Sequence, residues 1–356
     1  MFDVQNFLVD SIKAANVYVP SFQNIDESAV RLNSNENPYS LPERIQTEIS
    51  KIDFSRINTY PHETSIELRR QAAEVYKAGV DNIAVGIGSS ELLSYLFRLF
   101  LETGECAAMP SPGFTYNRML ASLQGGYLKE IAWKDGYQLP IKDLISSGAK
   151  FLIIVNPNNP TGTTVSHRDI RALLENFDGP VVVDEAYIDF CGQSSIPYLK
   201  DYDNLIVLRT LSKAYSAAGI RVGFCFASEA IIQELNKVRS LYSTNVPAEK
   251  IATILLRYRK DFNSTIESIN GSAIQAEAQL QEMGFEPIKT KTNFLLAKVP
   301  EHINAHFLKE ELEKRNYLVR HFGAGVLKDY IRISIGTKLQ MEGLFSQLAL
   351  ILDDRK

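Results

Sequence analysis

Residues 205–221 read Leu205-Ile206-Val207-Leu208-Arg209-Thr210-Leu211-Ser212-Lys213-Ala214-Tyr215-Ser216-Ala217-Ala218-Gly219-Ile220-Arg221. The apolar run Leu205 to Leu208 predicts a buried strand. Hydroxyls at Thr210 and Ser212 and cations at Lys213 and Arg221 crowd its exit. Open α/β sheets take their ligands just outside the carboxyl ends of the strands, and this lysine stands at such a place. A lysine partly withdrawn from water beside another cation has a lowered pKa and can form a Schiff base with a carbonyl. Taken alone, the stretch is equally compatible with a solvated loop lysine beside an arginine that holds nothing.

Working outward, strand and helix patterns alternate on the amino-terminal side. The apolar periodicity predicts strands over 83–88, 105–109, 127–133, 151–155 and 181–183. Helices are predicted over 2–15, 65–77, 92–101, 112–122 and 166–176, with Thr64 or Ser65 capping the second. A further strand is predicted over 221–227. Such alternation implies an α/β fold with a mostly parallel sheet flanked by helices and buried on both faces. From about residue 246 the texture changes to long helices (247–283, 303–314, 338–353) and short strands (294–297, 317–320, 330–335). We therefore expect a large domain over 41–245 and a smaller α+β domain over 246–356, with 1–40 an arm that joins the small domain.

Composition narrows the class. The 356 residues are 45% apolar and 22% charged, with a formal charge of −4. That balance is ordinary for a globular enzyme and offers no basic field to nucleic acid or an anionic membrane. Cys106, Cys191 and Cys225 have no metal-ligand spacing, and Cys106 and Cys225 lie in apolar runs as expected core thiols. The first ten residues contain acids and no long apolar run, so no signal peptide is expected. No run of about 18 apolar residues predicts a membrane span. A cytoplasmic protein is expected.

Gly86-Ile87-Gly88 looks like the start of a dinucleotide fingerprint, but Glu91 occupies the third glycine position and a helix precedes it, so a nicotinamide site is rejected. What survives is a glycine turn feeding a helix start, which offers N–H groups and a positive dipole end to a phosphate. Three polar signals follow three successive predicted strands: Asn159, Asp184 with Tyr187, and Lys213. Strand ends converge on one crevice. Asp184 alone would more often be a cap or a metal ligand, but no histidine or second carboxylate cluster supports a metal. Aspartate, lysine and an anion-binding helix start are the parts of a pyridoxal phosphate site: a carboxylate keeps the ring nitrogen protonated, a lysine holds the aldehyde, and N–H groups, hydroxyls and an arginine hold the phosphate. The asparagine-rich segment Leu32-Asn33-Ser34-Asn35-Glu36-Asn37-Pro38 is a plain loop or a polar pocket wall; the sequence does not separate the two.

With these residues in place, the chain resembles the fold-type I pyridoxal-phosphate-dependent aminotransferases, most of all the histidinol-phosphate aminotransferase branch. The likeness runs from about residue 18 to residue 337. It is carried by Leu32–Pro38, Tyr60-Pro61, Gly88–Glu91, Asn156–Gly162 (NPNNPTG), Asp184–Tyr187 (DEAY), Leu208–Lys213 with Arg221, and Arg332–Thr337 (RISIGT). Two departures stand out: GSSE where GSDE is usual, and Tyr215-Ser216-Ala217 where an aromatic, glycine and leucine usually follow the lysine.

The resemblance implies an aspartate aminotransferase-like fold and a set of roles. Lys213 would hold the cofactor's aldehyde and later move the proton between the substrate Cα and C4′. Asp184 would pair with the ring nitrogen, and Asn159 and Tyr187 with the ring 3′-oxygen. Ser89, Ser90, Thr210, Ser212 and Arg221 would hold the phosphate, and Phe114 would stack on the ring. Tyr60 matches a tyrosine that reaches the phosphate from the neighbouring subunit, which implies a homodimer. Arg332 matches the arginine for the substrate α-carboxylate, and alternation agrees in part, since Ile331, Ile333 and Ile335 would pack on the opposite strand face. Tyr18, Asn35 and Arg320 align with the substrate pocket, with Arg320 placed to meet a substrate phosphate. The implied partners are a small-molecule amino donor and a 2-oxo acid, and the implied reaction is transamination of L-histidinol phosphate with 2-oxoglutarate. An aromatic amino-acid aminotransferase and a threonine-phosphate decarboxylase share this cradle. A cofactor-binding regulator would need a DNA-binding module, for which the arm has no basic patch.

Overall fold

The computed structural model describes residues 2–14, 28–323 and 325–353. In chain order its strands are β1 (Val30–Arg31), β2 (Ile83–Ile87), β3 (Cys106–Ser111), β4 (Tyr127–Ala132), β5 (Leu152–Val155), β6 (Val181–Asp184) and β7 (Leu205–Thr210). They continue with β8 (Val222–Phe226), β9 (Glu286–Ile288), β10 (Phe294–Lys298), β11 (Tyr317–Leu318), β12 (Arg320–His321) and β13 (Tyr330–Ser334). Seven of them form one sheet in the order β2-β8-β7-β6-β5-β3-β4. The pairings from β7 to β4 are parallel, whereas β8 runs antiparallel to both β7 and β2. The mostly parallel sheet expected from the sequence is present.

The sheet is apolar on both faces because helices cover both. Val181, Val183, Leu205 and Val207 enter one core layer, and Val182, Ile206, Leu208 and Cys225 enter the other. This is the two-residue period of a strand, with both faces filled. Each such side chain contributes about 1.5–3 kcal/mol through burial. The helices Gly88–Phe100 and Glu229–Val238 lie on the second layer, while Ile66–Tyr76 and Val246–Arg257 lie on the first.

A second sheet, antiparallel, has the order β12-β13-β10-β9 and packs with the helices Asn263–Glu282, Ala305–Lys314 and Lys338–Asp353. β1 pairs in parallel with β11, matching Val30 to Tyr317 and Arg31 to Leu318, and so ties the amino-terminal segment to the carboxyl-terminal part of the chain. Among the described residues no helix is long and apolar enough to cross a membrane.

Three local expectations are corrected. The helix predicted over 2–15 is a 3-10 turn, Val4–Phe7, followed by a short helix, Asp10–Ala14. The helix predicted from 112 begins at Tyr116, because the Pro112 carbonyl accepts bonds from Trp133 Nε1 and Asn158 Nδ2 and holds 112–115 as a loop. Ser65 does occupy the cap position before Ile66, but with φ +53° and its hydroxyl bonded to Thr244 and Glu249 rather than to the helix.

Candidate active site

β5, β6 and β7 are neighbours, and the segments leaving their carboxyl ends bring Asn159, Asp184 and Lys213 to one cavity of about 270 Å³. Three residues far apart in sequence therefore meet because parallel strands all release their chains on the same edge.

Asp184 ends β6 at 5% exposure, and its carboxylate accepts the Ala186 N–H at 3.1 Å. Among the described residues no cation forms an ion pair with it. Burial, reinforced by the adjacent Glu185 charge, raises its pKa to about 6. A buried acid without a cation suits a protonated ring nitrogen, which would return the carboxylate to its charged form. Behind it, Arg209 joins Glu185 (3.4 Å) and Asp189 (2.6 Å) in a buried ion network between β6 and β7.

Lys213 follows β7, and its Nζ donates to the Ser34 carbonyl at 3.0 Å. Burial foremost, then the positive charge of Arg332, lowers its pKa to about 8. An amine with such a pKa is still mostly protonated at neutrality, but its uncharged fraction is far larger than that of an ordinary lysine, and that fraction can attack a carbonyl. Asn37 Nδ2 donates to the Lys213 and Ala214 carbonyls, so the asparagine-rich segment fixes the lysine loop from the other side. The open alternative for that segment is resolved: it is a pocket wall.

One corner of the cavity is built for an anion. The helix Gly88–Phe100 points its start there, with Ser89 and Ser90 in its first turn. Arg221 Nη1 donates to Ser212 Oγ at 3.2 Å, and Thr210 Oγ1 donates to the same oxygen at 2.9 Å. A Cβ on Gly88 would lie 2.5 Å from Arg221 Nη2, and one on Gly223 would lie 2.3 Å from the Ser89 nitrogen. Glycine at both positions lets the guanidinium and the helix start close on the same corner. Phe114 lines the cavity from the 112–115 loop.

On the opposite wall, Tyr187 accepts Asn35 Nδ2 at 3.0 Å and Asn159 Nδ2 at 3.3 Å on its hydroxyl oxygen. Arg332, on β13, donates through Nη1 to Asn159 Oδ1 at 2.7 Å and through Nη2 to the Asn33 carbonyl at 2.8 Å. Ile331, Ile333 and Ile335 turn to the core, as the alternation predicts, but Arg332 is 8% exposed and faces the cavity rather than solvent. Arg320 lines the same cavity.

Thus Ser89, Ser90, Phe114, Asn159, Asp184, Tyr187, Thr210, Ser212, Lys213, Arg221, Arg332, Asn35 and Arg320 are brought together. Tyr60 is not: it is 79% exposed and stacks on Tyr242 at 4.6 Å between ring centroids. Tyr18 lies outside the described residues. The sequence reading did not single out Ser34, Ser334 or Phe322. Ser34 acts through its backbone carbonyl, Ser334 Oγ accepts the Asn35 N–H at 2.8 Å, and Phe322 lines the cavity. The asparagine-rich segment was a signal for the first, and strict alternation beside Arg332 for the second; Phe322 had none.

The sequence and the fold have known relatives. The family model for aminotransferase class I and II matches residues 27–348. The chain is 39% identical over 335 residues to histidinol-phosphate aminotransferase 3 of Mesorhizobium japonicum, covering 92% of this chain and 90% of that one. It is 40% identical over 332 residues to histidinol-phosphate aminotransferase of Sinorhizobium fredii, again covering 92% and 90%. The crystal structure of histidinol-phosphate aminotransferase from Sinorhizobium meliloti in complex with pyridoxal-5'-phosphate superposes with a TM-score of 0.89 at 22% identity, over 98% of each chain. An asparagine, a buried aspartate and a lysine at three adjacent strand ends, beside an anion corner and within a sequence matched almost throughout, have one explanation: the chain belongs to the class I and II aminotransferases.

Proposed function

We propose that the enzyme is a pyridoxal-phosphate-dependent transaminase that moves the amino group of L-histidinol phosphate to 2-oxoglutarate, giving imidazole acetol phosphate and L-glutamate. The observation that carries this reading is the cavity that unites Lys213, Asp184 and the Ser212–Arg221 anion corner, in a chain about 40% identical to histidinol-phosphate aminotransferases. The residues fit the cofactor: the corner takes its phosphate, Asp184 its ring nitrogen, Phe114 the ring face, Asn159 and Tyr187 the ring 3′-oxygen, and Lys213 its aldehyde. Once bound, pyridoxal phosphate supplies an electron sink for the pair left at the substrate Cα.

The chain's own groups do the rest. Lys213 Nζ, whose lowered pKa suits it to proton transfer, would take the proton from the substrate Cα and give it back on the cofactor side once the amino donor has displaced it from the aldehyde. Asp184 keeps the ring nitrogen protonated, and the pair relieves the burial cost that raises its pKa in the protein alone. Asn159 holds Tyr187 on one side and Arg332 on the other, which sets both against the same ligand. Arg332 offers its planar fork to the α-carboxylate of glutamate or 2-oxoglutarate, and Arg320 faces the phosphate of the amino donor. Asn35 belongs to the same substrate wall, and Tyr18 is assigned to substrate binding on the resemblance alone.

A homodimer, with Tyr60 of one copy reaching the cofactor phosphate of the other, is part of the proposal; the exposure of Tyr60 outside its own cavity supports it. So is the division into a large domain over 41–245 and a small one over 246–356 joined by the 1–40 arm, which the β1·β11 pairing supports. A cytoplasmic location completes it, in keeping with three cysteines that are all free thiols.

The test is the absorbance of the cofactor-loaded protein on adding L-histidinol phosphate, with phenylalanine and aspartate as controls. Loss of the cofactor's visible band at low histidinol phosphate and poorly with the controls supports the assignment. A better response to phenylalanine moves the enzyme to aromatic substrates, and carbon dioxide release from threonine phosphate moves it to decarboxylation. Lys213→Ala abolishes turnover while cofactor remains bound noncovalently; unchanged turnover sinks the mechanism.

A further inference from the structure

Two cations face the substrate side of the cavity, and they are direct cross-strand partners: Arg320 on β12 sits opposite Arg332 on antiparallel β13. Like charges directly opposite on one sheet face repel each other. The ring of Phe322 lies against both. Its centroid is 5.9 Å from the Arg320 guanidinium carbon and 5.9 Å from that of Arg332. Phe294 stands 5.3 Å from the Arg332 guanidinium as well, so Arg332 meets two aromatic rings. Phe294 in turn meets Tyr187 edge-on at 5.1 Å. The result is a chain of contacts, Tyr187, Phe294, Arg332, Phe322 and Arg320, leading from the cofactor side of the cavity to its substrate side.

The two arginines are held differently. Arg332 is anchored by Asn159 and the Asn33 carbonyl. The Arg320 side chain makes no hydrogen bond or ion pair within the described residues, and the Phe322 ring is the aromatic contact that orients it. A ring face carries partial negative charge, so the Phe322 ring attracts both guanidinium groups and moderates the repulsion between them.

We propose that Phe322 is a specificity-determining residue: it spaces Arg320 from Arg332 and so divides the substrate side of the cavity into two anion subsites. This rests on the transaminase reading above, and it names the ligand class that the site prefers. That class is small molecules with two separated anionic groups, such as a dicarboxylic 2-oxo acid. A ligand with one anion uses Arg332 alone and gains little from Phe322, because Asn159, the Asn33 carbonyl and Phe294 already hold that guanidinium. A phosphate-bearing amine uses the Arg320 subsite.

The experiment measures binding of glutarate and butyrate to the cofactor-loaded enzyme by titration calorimetry, since the two differ chiefly in the second carboxylate. Phe322→Leu keeps apolar bulk but removes the ring face; it weakens glutarate about tenfold, the scale of one lost cation–π contact, and leaves butyrate within about twofold. Phe322→Tyr restores glutarate affinity. Arg320→Gln loses a similar factor, and combining it with Phe322→Leu weakens glutarate no further, because the two residues act on one subsite. Equal weakening of glutarate and butyrate in Phe322→Leu reduces the residue to packing and overturns the proposal, as does full additivity in the double variant. Because neither ligand is turned over, a failure of histidinol phosphate as donor overturns the substrate assignment while the glutarate-to-butyrate ratio still decides this one.

Discussion

Replacing Asn159 by alanine tests the coupling at the centre of the site. Its amide oxygen accepts Arg332 Nη1 at 2.7 Å, and its amide nitrogen donates to the Tyr187 oxygen at 3.3 Å. The first bond involves a charge, is short and lies where Arg332 is 8% exposed; such a bond contributes about 1.5–3 kcal/mol. The second is long and neutral, and Tyr187 keeps the Asn35 donor at 3.0 Å, so its loss costs less, about 0.5 kcal/mol. Asn159→Ala therefore removes about 2–3.5 kcal/mol of positioning, which corresponds to a fall of roughly 30- to 350-fold in kcat/KM for 2-oxoglutarate. The assay is steady-state turnover with varied 2-oxoglutarate, alongside the cofactor dissociation constant. In an Arg332→Ala background the same substitution costs much less, because the charge-assisted bond is already absent. A loss below threefold in the wild-type background refutes the idea that Asn159 holds the arginine in its working position.

Other outcomes follow from the same geometry. With a Lys213 pKa of about 8, the rate at which cofactor-free protein captures pyridoxal phosphate rises about tenfold per pH unit below that value and levels off above it; a rise continuing beyond pH 10 is the behaviour of an unshifted lysine. Asp184→Asn stabilises the cofactor-free protein at pH 7 while abolishing turnover. The sign follows from a folded pKa of about 6 against 3.8 unfolded: the folded state binds the extra proton, so stability from this group falls as pH rises from about 4 to 6, and the amide avoids that loss. A lower melting temperature for the variant at pH 7 contradicts it. Arg209→Met leaves Glu185, fully buried, without its cation and destabilises the fold by about 3–5 kcal/mol, read as a shift in urea midpoint; a shift under 1 kcal/mol is inconsistent with a buried ion network here.

Much of the site could be read from the sequence because it hangs on strand ends. Asn159, Asp184 and Lys213 each follow an apolar run, and a run of that kind declares both a buried strand and where it stops. The same logic placed Arg332 beside three isoleucines. Hydrogen-bond partners were harder. Nothing in the sequence distinguishes the Ser34 carbonyl that receives Lys213 from any other loop carbonyl, and Ser65 turned its hydroxyl away from its helix toward Thr244 and Glu249. Phe322 was invisible because its contacts are with arginines two and ten residues away, one brought close only by strand pairing. The late start of the helix at Tyr116 likewise depends on Trp133 and Asn158 reaching the Pro112 carbonyl, tertiary contacts that override local propensity.

The pairing of Asn33 and Asn35 with Arg332 and Ser334 joins positions 299 residues apart. On the ribosome, the last strand of the seven-stranded sheet, ending at Phe226, emerges long before residue 332 has been made. A nascent chain can therefore assemble Lys213, Asp184 and the anion corner while the arginine that receives a carboxylate is still untranslated. Non-local contacts of this span form late, since a long loop must close first. Interrupted synthesis or proteolytic trimming of the carboxyl-terminal strand thus yields a protein with its reactive lysine in place and no means of choosing an amino acid, so selectivity is acquired only when translation is nearly complete.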